Sequence, residues 1–145
     1  MKIKRPQKLS SAALFIVLFL FSVSPVITCY GEDDEIPRLT IEALKKMIDD
    51  KVEVTIIDVQ PINIYEKGHI RDAISIPWKS QLALEDVWVI PSGIPIVTYC
   101  ACGPGEADSN DFAKQLMKMG YNDIKVLKHP AIQGWIEAGY PVDKK

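Results

Sequence analysis

The sequence predicts an open α/β fold built on a largely parallel sheet, and three observations predict it. Segments of strand character alternate with segments of helical period, and two strand segments read as nearly continuous apolar runs, the mark of strands covered on both faces. The second of these runs ends on a cysteine that small residues and a helix start follow. In sheets of this kind, ligands gather at the carboxyl ends of the strands.

The first 28 residues are expected to lie outside that fold. Lys2, Lys4, Arg5 and Lys8 precede a run from Ala12 to Val23 that is apolar but for Ser22, the basic and hydrophobic regions of an export signal. A cleaved signal is the first reading, because a run of about a dozen residues is short for a spanning helix, which wants roughly 20. Counted from Leu9 to Tyr30, the segment allows an uncleaved anchor as the second, its basic end held cytoplasmic. Val26-Ile27-Thr28-Cys29 is similar to a bacterial lipoprotein cleavage box in which Cys29 would carry the lipid, although Thr28 is bulkier than the residue such boxes usually place there. Otherwise Cys29 is an ordinary thiol of a linker or of a discarded signal. The chain is therefore expected to be exported, periplasmic or in the cell envelope, meeting the membrane through this segment or a lipid.

Residues 29–38, with the acidic run Gly31 to Glu35, read as a linker, and residues 39–145 as one domain. All 19 acids fall after residue 28 against 13 of the 17 bases, so the exported part carries a net charge of −6 and nucleic acid is not an expected partner. The oligomeric state is not legible in the sequence.

Within the domain, Thr40 offers a helix cap, Glu42 suits the positive helix start, and Ile41, Leu44, Met47 and Ile48 share one face, giving a helix over 41–49. Val52 to Val59 is rich in β-branched residues and predicts a buried strand. Pro61, Gly68 and Pro77 punctuate the next stretch, which holds a helical turn near 62–67 and a short strand over 73–76, with a further helix over 80–86. Pro95 to Tyr99 is a second apolar strand. After a loop from Ala101 to Asp108, Ser109 and Asp111 mark a helix that presents Phe112, Leu116 and Met119 inward and ends at Gly120. Ile124 to Leu127 is a last strand, and a helix over 132–138 stops at Gly139 before Pro141. Trp78, Trp88 and Trp135 are read as packing residues at element ends.

The chemistry centres on Cys100. A thiol at a strand end, ahead of a loop and a helix start, can receive several backbone N–H groups and the positive end of a helix dipole, which favours a thiolate and any anion carried on its sulfur. Cys102 forms a Cys-x-Cys pair with it, too close for an ordinary framework disulfide and too few for a structural zinc site. Neither a metal nor a cofactor is expected, a metal held by the pair with His69 or His129 being the lesser alternative.

These residues resemble the rhodanese-like domain family. Ile56-Ile57-Asp58-Val59, Gly68-His69-Ile70, Ala73 to Pro77, Val97-Thr98-Tyr99-Cys100, Met119-Gly120-Tyr121 and Trp135 to Pro141 recur in that family in this order. The resemblance implies about five mostly parallel strands flanked by helices on both faces, with Cys100 under a loop that cradles a transferred sulfur atom. It implies a sulfurtransferase that takes a sulfane sulfur from a small donor and passes it from a Cys100 persulfide to cyanide or another thiol, or else a persulfide carrier or redox-sensing module with little turnover. Asp58 carries over as structural support, and His69 as the residue that closes the Gly68-His69 turn, with proton transfer the alternative.

The sequence departs from the family at Gln60, where Arg often stands, at Arg71-Asp72 in place of Pro-Gly, and at His129-Pro130-Ala131 in place of Gly-Gly. The loop departs most. Cys100-Ala101-Cys102-Gly103-Pro104-Gly105-Glu106-Ala107-Asp108 contains no Lys or Arg and places two acids, Glu106 and Asp108, where cations are expected. An anionic donor such as thiosulfate would be repelled by roughly 1 kcal/mol per close acid unless Arg71 or Lys79 reaches the mouth. The missing Arg also removes the bidentate fork that a phosphatase of this fold needs. Cys102 is expected either to be a small residue tolerated in a tight loop or to attack a sulfane sulfur on Cys100 and release sulfide.

Overall fold

The computed structural model describes residues 35–145; the predicted export segment and Cys29 lie outside the described residues. No helix of the described residues is long and apolar enough to cross a membrane.

A five-stranded sheet organises the chain, with strands β1 (Arg38–Leu39), β2 (Thr55–Asp58), β4 (Ile74–Ser75), β5 (Ile96–Tyr99) and β6 (Ile124–Leu127) in the order β1-β6-β5-β2-β4. Every pairing in it is parallel, as the apolar runs at β2 and β5 require. A separate antiparallel pair joins β3 (His69–Ile70) to β7 (Val142–Asp143). The two-residue strands β1, β3 and β7 were not expected: so short a segment leaves no alternation to read, and each is held by its partner rather than by its own propensity.

Side chains along β2 and β5 alternate between two cores. Ile57, Val59, Ile96 and Cys100 face α3 (Leu84–Val87) and α4 (Ala107–Lys118), packing with Val87, Phe112, Ala113 and Leu116. Ile56, Val97 and Tyr99 face α1 (Ile41–Asp49) and α5 (Ala131–Glu137), packing with Leu44, Ile132 and Trp135. Helices on both faces therefore seal the sheet, and α2 (Ile62–Tyr65) crosses between β2 and β3.

Local chemistry accounts for most element ends. The Thr40 hydroxyl accepts the Ala43 N–H at 3.2 Å and starts α1. Val52 to Val54 stay outside β2, because α1 ends in a turn through Lys51 that takes positive φ. The expected helix over 80–86 is instead four residues over 84–87; the Asp86 carboxylate accepts the Ala83 N–H at 3.0 Å and so begins the turn later than expected. Trp135 is buried as expected, but Trp88 is 81% exposed and Trp78 41%, since Val87 and Ile90 fill the core beneath that segment. Trp78 instead donates its indole N–H to Asp111 at 2.8 Å.

Candidate functional site

β5 delivers Cys100 to the carboxyl end of the central strand, on the face that α4 covers. The Thr98 hydroxyl donates to the Ser109 carbonyl at 3.1 Å, pinning the first turn of α4 to that strand end. Ser109 Oγ lies 3.5 Å from Cys100 Sγ and donates to the Glu106 carbonyl at 3.2 Å, a single rotor that can turn toward either acceptor. Cys100 is only 3% exposed, and its sulfur is joined to that of Cys102 in a disulfide whose Cα atoms stand 5.4 Å apart, an ordinary spacing. The expected ring of amides around an open sulfur is thus not what surrounds it in this closed form. Among the described residues its polar partner is the Ser109 hydroxyl.

Gly103-Pro104-Gly105-Glu106 forms a tight turn in which the Glu106 N–H donates to the Gly103 carbonyl at 3.2 Å. Proline fits its second position and glycine its third, where φ is +91°. Glu106 follows in the left-handed region at φ +47° and launches α4 at Ala107, ahead of the helix start expected at Ser109. Ser109 therefore sits inside the first turn, bonding back to the Glu106 carbonyl rather than capping an N–H ahead. Ala107 and Asp108 belong to the helix rather than to the loop.

The electrostatics differ from the expectation of two acids at the mouth. Glu106 is 4% exposed, and its carboxylate accepts the Arg38 Nε–H at 2.8 Å and the His129 backbone N–H at 2.8 Å. Burial alone would raise its pKa, but the His129 amide and the Arg38 guanidinium outweigh it and hold the carboxyl below its ordinary value. One of the two acids is thereby neutralised from β1, and Asp108, only partly exposed, remains on the first turn of α4. Arg38 is not legible in the sequence as a site residue: it lies 68 residues from Glu106 in a two-residue strand, and nothing local marks it.

Neither proposed substitute cation reaches the loop as an unpaired charge. Arg71 precedes β4, which runs parallel to β5, so it sits toward the opposite end of the sheet from Cys100, paired with Asp143 at 3.3 Å. Lys79 pairs with Asp86 at 2.5 Å.

Asp58 lies at the end of β2 but on the face opposite Cys100, as the period-two alternation dictates. It is fully buried and accepts the Gln60 backbone N–H at 2.8 Å and the Gln60 side-chain amide at 3.1 Å, and the nearby Tyr99 hydroxyl also favours its charged form. Burial pushes its pKa up despite those bonds. The Tyr99 hydroxyl accepts the Ile70 N–H at 3.0 Å and so ties β5 to β3. Gln60 thus fills a structural place. His69 is buried, stacked on the Tyr65 ring at 3.7 Å, with Nδ1 2.9 Å from the Tyr65 carbonyl, an arrangement that closes the turn and leaves the ring away from the sulfurs' face. Among the described residues no three His, Cys, Asp or Glu side chains gather as metal ligands.

The fold has counterparts among known proteins. The family model described as Rhodanese-like domain matches residues 40–138. No curated protein matches the sequence. A solved protein of Bacillus halodurans superposes with a TM-score of 0.67 at 24% identity, over 74% of this chain and 77% of that one. A rhodanese-related protein of Thermoplasma volcanium is 27% identical with a TM-score of 0.56, over 75% and 99% of the two chains. Thiosulfate sulfurtransferase from Pseudomonas aeruginosa superposes at 0.62 and 23% identity over 77% of this chain, which spans 21% of that larger protein.

Proposed function

We propose that this chain, which belongs to the rhodanese-like domain family, is a sulfurtransferase whose nucleophile is Cys100. In the reduced protein the Cys100 thiolate attacks the sulfane sulfur of a small donor. A persulfide forms on Cys100 and the donor's remaining fragment leaves with the bond's electron pair. Cyanide or a second thiol then takes the terminal sulfur and returns the thiolate. The observation that carries this reading is the position of Cys100: the end of the central parallel strand, with the first turn of a 12-residue helix against its sulfur.

Ser109 is the positioning group at the sulfur, able to swing its hydroxyl from the Glu106 carbonyl to an anion on Cys100. With Glu106 neutralised by Arg38, one acid rather than two opposes a charged donor, so thiosulfate is penalised by roughly 1 kcal/mol and less charged sulfane donors are preferred. No cofactor enters this cycle. Export through the N-terminal segment, by cleavage, retention or lipidation at Cys29, belongs to the same proposal and rests on the sequence pattern of residues 1–29.

A carrier or redox-sensing module with little turnover is the second reading, favoured by the disulfide that closes Cys100. Steady-state thiocyanate formation from cyanide and a sulfane donor, with a thiol reductant present, separates the two. Sustained turnover, abolished in Cys100→Ser, supports the transferase. Stoichiometric loading without turnover supports the carrier, and full activity in Cys100→Ser removes both.

A further inference from the structure

Two cysteines separated by one residue lie in one loop, and they differ in exposure. Cys100 is buried, whereas Cys102 is partly exposed. Their sulfurs are bonded to each other, so Cys102 Sγ occupies the position of a group attached to Cys100 Sγ itself. That distinction decides the chemistry. A persulfide has two electrophilic sulfurs: attack on the outer one moves the persulfide to the attacking thiol, whereas attack on the inner one, Cys100 Sγ, expels sulfide. The loop as folded places Cys102 against the inner sulfur.

We infer that Cys102 is a resolving cysteine that turns the Cys100 persulfide into free sulfide, giving the protein a reductive, sulfide-releasing activity toward sulfane-sulfur donors. The inference rests on the Cys100 persulfide proposed above. The Cys102 thiolate attacks Cys100 Sγ; the Cys100–Cys102 bond forms, the bond to the outer sulfur breaks, and sulfide leaves with its electron pair and takes a proton from solvent. The product is the disulfide seen in the structure.

Resetting requires two electrons from a dithiol, small or protein-borne. Its first thiolate attacks the sulfur of Cys102, the more exposed residue of the pair, and Cys100 departs as the thiolate, the leaving group favoured by the helix start and by Ser109. The second thiol of the reductant then displaces Cys102 from the mixed disulfide and leaves as the oxidised dithiol. Over one cycle the donor loses one sulfur atom, the dithiol loses two electrons and two protons, and one sulfide is released.

The test uses the full-length chain, reduced and freed of reductant, exposed to one equivalent of glutathione persulfide, whose remaining fragment is a thiol and not sulfide, with sulfide trapped as its bimane adduct and the protein weighed intact. The expected result is prompt release of sulfide by the unmodified chain with loss of two hydrogens from the protein. Cys102→Ser keeps one extra sulfur atom, dischargeable by cyanide, and releases sulfide about tenfold or more slowly. An unmodified chain that retains the extra sulfur, or a Cys102→Ser chain that releases sulfide as fast as the unmodified one, overturns the inference while leaving the transferase reading standing. Failure of both chains to take up sulfur overturns that reading and the inference with it. Should the variant fold poorly, the mass of the unmodified chain alone decides between release and retention of the sulfur.

Discussion

At the scale of single residues, two buried acids near the carboxyl ends of neighbouring strands have opposite linkage to pH. Glu106 is held below its ordinary pKa once Arg38 and the His129 amide overcome its burial, so its stabilisation is present at neutral pH and is lost as acid takes the solution down through the depressed value. Asp58 is held above its ordinary pKa, chiefly by burial; its charge opposes folding at neutral pH, and that penalty is relieved as pH falls through the raised value. Glu106→Gln is therefore expected to cost about 2 kcal/mol at neutral pH, shrinking toward zero in acid. Asp58→Asn is expected to cost far less at neutral pH and to lose ground relative to the parent as acid is added. Urea midpoints measured across the acidic limb check both signs. The sequence revealed these carboxylates but not their partners, because the Arg38–Glu106 pair closes over 68 residues and exists only once β1 joins β6.

At the scale of elements, what the sequence shows most clearly is what burial alone determines. The runs that became β2, β5 and β6 and the helical faces of α1, α4 and α5 are legible because each must present apolar side chains at a fixed period to a sealed core. The start of α4 is not, since a left-handed Glu106 and the Pro104-Gly105 turn advance it beyond any cap the residues announce. The closing helix α5 contains a further constraint of this kind. A Cβ on Gly134 would stand 2.8 Å from the Pro130 ring and 3.3 Å from Ile41, so α5 approaches its own lead-in segment and α1 more closely than a side chain allows. Gly134→Ala, which would gain about 1 kcal/mol in an open helix, is expected instead to destabilise by about 1–3 kcal/mol. Thermal melting of the variant decides the sign.

At the scale of the whole molecule, the sheet carries two separate tasks on its two faces. One face packs α1 and α5 and holds Asp58 with its Gln60 bonds and Tyr99 with its bond to Ile70; the other packs α3 and α4 and holds the Cys100–Cys102 pair. This division explains why the residue identities of the candidate site were legible while its state was not. A cysteine at the end of an apolar strand is a local pattern, whereas the closure of Cys100 by Cys102 and the withdrawal of Glu106 toward Arg38 depend on how the whole loop is folded against β1 and the segment after β6. The central claim, that Cys100 is the sulfur-accepting nucleophile, is tested most directly by peptide mapping of the reduced Cys102→Ser chain after one exposure to a sulfane donor. The predicted result is one added sulfur, carried by the peptide that contains Cys100 and removable by cyanide. Sulfur found only on Cys29, or on no peptide at all, would contradict it.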